Sequence, residues 1–303
     1  MFRGFVGCGT AMVTPFKKDL SLDEATLRVL VRRQIQAGIS FLVPCGTTGE
    51  SPTLSHEEHL RVVAITVEEA KGKAPVLAGA GGYDTRHVIE TARECERLGA
   101  DGILSVTPYY NKPTQEGLYY HFKAIAESVS LPIILYNVPP RTNVNIDPAT
   151  VRKLSEIENI IGIKEASGNI SQIAQVFQQA PENFLVFSGD DSLTLPLAAM
   201  GGCGIISVAS NEIPAQMTSL WQLCSAGKFE EARQMQRKWM PLLEVNFIET
   251  NPQPVKAAMA EMGLLEPVFR LPLVPPRVEN LAKIRAVLES LALLERVHVA
   301  NRG

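Results

Sequence analysis

Asn159-Ile160-Ile161-Gly162-Ile163-Lys164-Glu165-Ala166-Ser167 is the stretch on which the reading of this chain turns. Branched apolar residues, interrupted only by Gly162, lead directly into a lysine. A short continuous apolar run reads as a strand covered on both faces, as strands of parallel sheets are. Lys164 then stands at or near the end of a strand that points into protein. Burial disfavours an ammonium ion and lowers a lysine's pKa. A neutral amine attacks a carbonyl carbon and forms a Schiff base. The alternative puts Lys164 just past the strand with its charged end in water, the usual arrangement for a lysine. The other strand ends decide between the two.

Outward from that strand, residues 160–164, the chain alternates short apolar runs with longer amphipathic ones. The pattern predicts strands at 10–13, 41–43, 75–78, 102–106, 132–136, 184–187 and 204–208. Helices are predicted at 23–37, 55–70, 84–98 and 114–129, and from Asp147, Ser171 and Ser192 onward. Ser55 with Glu58 three residues later forms a capping box. Gly38, Gly99 and Gly201 follow the last residues of three helices, where a left-handed residue ends the helix. Eight strands, each followed by a helical pattern, make an α/β chain of the (β/α)8 barrel class. Beyond Ala209 only helices are predicted, at 213–226, 229–247, 254–262 and 278–294. The first closes the barrel, so residues 1–226 are expected to form a barrel domain and 227–303 a helical appendage. The rival doubly wound sheet lacks its glycine fingerprint, since Gly79-Ala80-Gly81-Gly82 has the wrong spacing.

Composition narrows the function. The chain has 303 residues, 46% hydrophobic and 20% charged, as soluble globular proteins do. A net charge of -3 without a basic block gives no footprint for nucleic acid. Met1-Phe2-Arg3-Gly4-Phe5 lacks the apolar run of a signal peptide. The longest weakly polar stretch, 193–209, is broken by Pro196, Gly201, Gly202 and Gly204, so no membrane span is expected. Five widely spaced cysteines without a C-x-x-C read as reduced thiols, and the expected location is the cytoplasm.

In a barrel the chemistry stands at the C-terminal ends of the strands. After the second strand comes Gly46-Thr47-Thr48-Gly49-Glu50, and after the fourth Thr107-Pro108-Tyr109-Tyr110-Asn111. The fifth ends Tyr136-Asn137-Val138-Pro139-Pro140-Arg141-Thr142 and the sixth Lys164-Glu165. The seventh ends Ser188-Gly189-Asp190-Asp191 and the eighth Ile206-Ser207. One amine, three phenols, vicinal hydroxyls and a guanidinium suit a small carboxylated carbonyl compound: the amine forms an imine, a phenol moves protons, hydroxyls and backbone N–H groups hold a carboxylate. Each residue also has a plain structural reading. Gly46 and Gly49 make a tight turn, Tyr136 is a core aromatic, and Tyr109-Tyr110 is a packing patch. Arg141 pairs with a surface acid, and Asp190-Asp191 are helix N-terminal charges beside Ser192. His56 and His59 are three apart, not the four of H-E-x-x-H, and no metal is expected.

Taken together, Gly46-Thr47-Thr48-Gly49-Glu50, Tyr136 to Thr142 and Gly162-Ile163-Lys164-Glu165-Ala166-Ser167-Gly168 resemble the dihydrodipicolinate synthase family. That family lies in the N-acetylneuraminate lyase superfamily of pyruvate-dependent class I aldolases. The likeness runs from about Gly7 past Ala258, and Asn251-Pro252 with Pro254-Val255-Lys256 belongs to it. The resemblance implies that Lys164 forms the imine with pyruvate and that Tyr136, Thr47 and Tyr110 relay protons, Tyr110 entering from a neighbouring subunit. It implies that Thr48 binds the pyruvate carboxylate and Arg141 that of L-aspartate 4-semialdehyde, with Gly189 and Ile206 lining the pyruvate site. No cofactor is implied beyond the imine. The product is 4-hydroxy-tetrahydrodipicolinate, on the diaminopimelate route to lysine, and the assembly is a homotetramer of two dimers. Two alternatives remain: a lyase of the same superfamily acting on sialic or 2-keto-3-deoxy sugar acids, and a non-catalytic barrel that binds pyruvate or an amino acid.

The resemblance extends to an effector site for lysine, at Ser51, His56, His59, Tyr83, His87 and Tyr109. Tyr83 and His87 replace an asparagine and a glutamate of the inhibited relatives. A glutamate holds an ammonium by a charge-assisted bond, and a neutral histidine does not. Weak or absent lysine inhibition is therefore expected unless Glu90 or Asp84 substitutes.

Overall fold

Every strand expected from an apolar run forms, and the strands pair in parallel. The computed structural model describes residues 4–294. Residues 1–3, part of the N-terminal segment read above, and 295–303, the end of the helical region, lie outside the described residues. The elements are β1 (Gly7–Ala11), α1 (Glu24–Gln36), β2 (Phe41–Val43), α2 (His56–Ala70), β3 (Leu77–Gly79), α3 (Thr85–Arg97) and β4 (Gly102–Val106). Next come α4 (Gln115–Ala126), β5 (Ile133–Asn137), α5 (Pro139–Thr142), α6 (Pro148–Leu154), β6 (Ile160–Glu165) and α7 (Ile170–Gln179). Then follow β7 (Leu185–Ser188), α8 (Thr194–Ala199), β8 (Gly204–Ser207), α9 (Pro214–Ser225), α10 (Phe229–Val245), α11 (Gln253–Glu261) and α12 (Val278–Ser290).

The sheet runs β2-β1-β8-β7-β6-β5-β4-β3. Its two ends meet through a parallel bridge, Leu42 to Val76. The Leu42 N–H donates to Pro75 O at 3.0 Å and the Gly79 N–H to Pro44 O at 2.9 Å. The ring is a (β/α)8 barrel. Strand alternation divides its residues: Ile134 and Tyr136 of β5 join Phe41, Leu104, Phe187 and Ile206 in one cluster, while Ile133 and Leu135 join the larger cluster shared with the helices. Phe41 sits between Phe5 and Phe187, ring centroids 5.6 and 5.7 Å away, each edge to face.

Local chemistry fixes the helix ends. Ser55 and Glu58 form the capping box of α2 as expected. Asp23, Asp84 and Thr114 cap α1, α3 and α4 through their side chains. Several boundaries differ from the sequence pattern, among them the end of α12, at Ser290 rather than 294. β1 begins at Gly7, three residues before the first predicted position; its two glycines weaken the apolar signal, but a Cβ on Gly9 would lie 2.1 Å from the Phe41 ring. α4 stops at Ala126, short of Val129. α7 is capped by Asn169, two residues before Ser171. The segment at Ser192 is a 3-10 turn, Asp191–Leu193, before α8. Among the described residues no helix is long and apolar enough to cross a membrane. All five cysteines are free.

The three helices after α9 pack on the barrel. α10 lies against α8, α9 and α12, and α11 against α12. From α11, Lys256 reaches Glu50, Nζ to Oε1 2.5 Å, and neither side chain is exposed at all (0%). Lys256 also donates to Val268 O at 2.8 Å and lies over the rings of Phe16 and Phe269. Burial pulls its ammonium below the usual lysine range, and Glu50 offsets part of that. Removing one member of a buried pair strands the other charge. Lys256→Met should therefore lower the free energy of unfolding by about 3–5 kcal/mol, measured by urea titration. Adding Glu50→Gln should restore at least half of the loss; a double variant as weak as the single one would refute the account.

Candidate active site

The register of three neighbouring strands assembles the centre. Tyr136 on β5 pairs with Lys164 on β6, which pairs with Phe187 on β7. Lys164 is 5% exposed. Its Nζ stands 4.3 Å from the centroid of the Tyr136 ring. The alternative in which the lysine reaches solvent is thus excluded. Gly189, after β7, donates its N–H to Glu165 O at 2.8 Å. A Cβ there would lie 2.9 Å from Lys164 Cε and 2.8 Å from Ala166 Cβ, so glycine leaves room for the lysine stem. Ile206 on β8 is fully buried beside Tyr136 and Phe187 in the inner cluster.

Tyr136 faces a cavity of 860 Å³ that is also lined by Thr47, Leu104, Val106, Val138, Arg141 and Thr142. Lys164, Thr48, Gly189 and Ile206 are not among the residues that line that cavity. Thr47 and Thr48 sit in the loop after β2. The Gly49 N–H donates to Gly46 O and the Glu50 N–H to Thr47 O, both at 3.1 Å, which curls the loop into consecutive turns. Thr48 is buried and its Oγ1 accepts from Asn251 Nδ2 at 3.0 Å. Arg141, on α5, is exposed. Its Nη2 donates to Asn251 O at 2.9 Å, a carbonyl rather than the surface acid of the plain reading. Tyr110 is 91% exposed, has φ +70°, and does not line this chain's cavity. The structure thus brings Lys164, Tyr136, Thr47, Thr48 and Arg141 toward one strand-end face and leaves Tyr110 outside.

A second layer holds the first. Asn137 donates from Nδ2 to both Glu165 oxygens, at 3.3 and 3.2 Å, and Ser167 N–H donates to Oε1 at 2.8 Å. This ties the ends of β5 and β6 one residue beyond Tyr136 and Lys164. Burial raises the Glu165 pKa, and the bonds from Ser167 and Asn137 offset part of the rise. Asp190 caps the 3-10 turn by accepting from Ser192 N–H, as its helix-end reading implies. Asp191 differs: it is buried, and its Oδ2 accepts from the Val208 and Ala209 N–H groups at 3.0 and 2.9 Å, joining the ends of β7 and β8. These partners escape sequence reasoning because no spacing announces them.

All six residues considered as an effector site line the same cavity. The rings of Tyr83 and Tyr109 meet edge to face at 5.4 Å, and those of His56 and His87 lie 5.8 Å apart. His56 Nε2–H donates to Glu94 Oε2 at 3.1 Å, an acid the sequence pattern did not connect with the group. His59 Nε2 lies 2.9 Å from Gly79 O; a carbonyl only accepts, so the proton is on Nε2.

The family model of the dihydrodipicolinate synthetase family matches residues 4–291. The chain is 52% identical over 296 residues to a 4-hydroxy-tetrahydrodipicolinate synthase of Koribacter versatilis, covering 97% of this chain and 99% of that one. Among solved structures it is similar to the dihydrodipicolinate synthase of Aquifex aeolicus, with TM-score 0.94, 44% identity, and coverage of 96% of this chain and 100% of that one. It is likewise similar to the chloride-inhibited dihydrodipicolinate synthase of Acinetobacter baumannii complexed with pyruvate, with TM-score 0.94, 42% identity, and coverage of 95% and 99%.

Burial lowers the His59 pKa to about 4, the Gly79 bond opposing it and His56 and His87 adding to it. Burial likewise lowers His121 to about 4. An unfolded histidine titrates near 6.5, so between these values the unfolded chain binds more protons and stability rises with pH. The contribution is complete above about pH 6.5 and is lost as pH falls toward about 4. Urea midpoints at about pH 7.5 and about pH 5 should differ, with a loss on the order of a few kcal/mol at the lower pH. His59→Gln should shrink that difference; an unchanged pH dependence would contradict the assignment.

Proposed function

The chain belongs to the dihydrodipicolinate synthetase family, and we infer that it condenses pyruvate with L-aspartate 4-semialdehyde to 4-hydroxy-tetrahydrodipicolinate through an imine on Lys164. The carrying observation is a buried lysine at a strand end, 4.3 Å from the ring of a tyrosine that lines a cavity holding a threonine and an arginine. The Lys164 amine attacks the keto carbon of pyruvate, and water leaves as the imine forms. Tyr136 and Thr47 move the protons, and loss of one from the methyl group gives the enamine. The enamine carbon attacks the aldehyde carbon, forming the new C–C bond, and the aldehyde oxygen takes a proton. The substrate's own amino group then attacks the imine carbon and expels the lysine amine as the ring closes. In this reading Thr48 holds the pyruvate carboxylate and Arg141 that of the semialdehyde, for which a guanidinium offers two parallel donors. Gly189 and Ile206 shape the space around the imine. The imine is the only covalent helper, and no cofactor enters.

The reading extends to assembly and location. Tyr110, exposed and in a left-handed conformation, completes the relay of a neighbouring copy in a homotetramer built from two dimers. In this reading residues 1–226 are the catalytic barrel domain and 227–303 the C-terminal region, whose helices α10, α11 and α12 brace it. Five free cysteines suit the reducing cytoplasm. The arginine and the paired tyrosines favour the semialdehyde over the polyol substrates of sugar-acid lyases.

Borohydride reduction in the presence of pyruvate tests the core of this reading. Wild type should gain a reduced pyruvate adduct on Lys164, and Lys164→Ala should gain none and lose nearly all activity. An adduct on another residue of the variant would reject Lys164. Tyr136→Phe and Thr47→Val should mainly lower kcat, and Arg141→Ala should raise KM for the semialdehyde more than for pyruvate. A relay variant whose only defect is a higher KM for pyruvate would contradict that role.

Regulation follows from the cavity's far side. With His87 in place of an ammonium-binding glutamate, the carboxylates left in the cavity lining are Asp84, which already accepts from Arg86, and Glu90, 4.0 Å from His87, so lysine finds its contacts weakened. Inhibition by lysine should be weak or absent, with half-maximal effect above about 0.5 mM, a binding free energy weaker than roughly -4.5 kcal/mol. Tighter inhibition in an activity titration would overturn this.

A further inference from the structure

Asn251 touches two residues of the proposed substrate site. It stands between α10 and α11, 203 positions from Thr48 in sequence. It is 4% exposed. Its side chain and its main chain serve different partners: Nδ2 donates to Thr48 Oγ1 at 3.0 Å, and the backbone carbonyl accepts from Arg141 Nη2 at 2.9 Å.

A threonine hydroxyl has one hydrogen and two lone pairs. With the amide donor engaged on a lone pair, the hydrogen of Thr48 remains free to be donated. A carboxylate offers only acceptors, so a hydroxyl held in this way matches it. Asn251 therefore fixes both where the Thr48 oxygen sits and which way its hydrogen is given. The loop that carries Thr48 needs fixing. It begins at Cys45 and ends at Glu50, with φ +56° and +52°, both non-glycine residues in the left-handed region. Such backbone persists only where its surroundings over-determine it. Lys256 fastens the Glu50 end. Asn251 fastens the middle.

We propose that Asn251 is a positioning residue which, through the Thr48 hydroxyl, sets the affinity for the carboxylate of the keto-acid substrate. The proposal rests on the role given to Thr48 above. Its signature is a split between the two substrates. Side-chain substitutions remove the amide donor from Thr48 and keep the backbone carbonyl on which Arg141 rests.

Asn251→Asp is the sharpest variant. It keeps the shape of the side chain and puts an acceptor where the donor was, so it claims the Thr48 hydrogen and adds a like charge near the keto acid's carboxylate. Steady-state kinetics should give a pyruvate KM raised about tenfold or more, as for a lost hydrogen bond to a charged group. The semialdehyde KM should stay within about threefold of wild type, because the bond to Arg141 is retained. In a Thr48→Val background the neutral Asn251→Ser, which brings no charge to the site, should add nothing to the pyruvate KM. An unchanged pyruvate KM in Asn251→Asp, equal rises for both substrates, or an additive effect in the Thr48→Val background would overturn the proposal. A Thr48→Val enzyme with wild-type pyruvate KM would instead remove the role of Thr48, and the proposal with it. If Asn251→Asp does not fold, as judged by its urea midpoint, Asn251→Ser, too short to reach Thr48, is read by the same criteria.

Discussion

Closing eight parallel strands into a ring is the constraint on which everything else in this molecule depends. A parallel sheet buried on both faces has no solvent for its edge groups, and a ring removes the edge. The seam is the contact of β2 with β3, and it is slender: one bridge from Leu42 to Val76, with bonds at Leu42 and Gly79. Close approach is what makes it possible. A Cβ on Gly79 would lie 2.2 Å from the carbonyl oxygen of Cys45. The chain therefore turns sharply at Cys45 to leave the seam, in a conformation glycine would adopt more readily.

The loop that carries Thr47 and Thr48 begins at that turn. Cys45 to Glu50 follows directly from the closing strand, and its two ends are left-handed non-glycine residues. Local sequence does not stabilise such a loop. The helices after the barrel do, by lending a buried ammonium to Glu50 and an amide to Thr48. The C-terminal region is thus joined to the chemistry through hydrogen bonds across the strand-end face. A buried ion pair gains little net stability over apolar packing, but it is costly to break from one side. That asymmetry makes Lys256 a fastening more than a source of stability.

On the opposite side of the barrel the arrangement is stiffer and simpler. Tyr136 and Lys164 are direct neighbours in a ladder, so backbone pairing sets their approach. Asn137 and Glu165, one residue further, lock the same pair of strand ends with side-chain bonds. The proposed nucleophile and proton carrier are therefore placed by the sheet, whereas the proposed carboxylate-binding groups are placed by loops and their distant anchors. The first set has little freedom to move. The second set is where differences in substrate preference within one fold can arise.

The amino-acid sequence by itself determined the alternation of strands and helices, because burial on both faces leaves apolar runs and burial on one leaves a helical period. It determined the helix starts, since caps such as Ser55 with Glu58 act within four residues. It made Lys164 stand out, for a lysine closing an apolar run is a local anomaly, whereas Tyr136 stood out only through the family's motif. It misread the start of β1, where Gly9 is glycine only because the Phe41 ring lies against it. Only the tertiary structure decided that Glu50 meets Lys256, 206 positions away, that Asn251 joins Thr48 to Arg141, and that Glu94 accepts a hydrogen bond from His56. Such contacts have no period and no motif. A hydrogen bond selects its partner by distance and angle, and those exist only once the ring has closed.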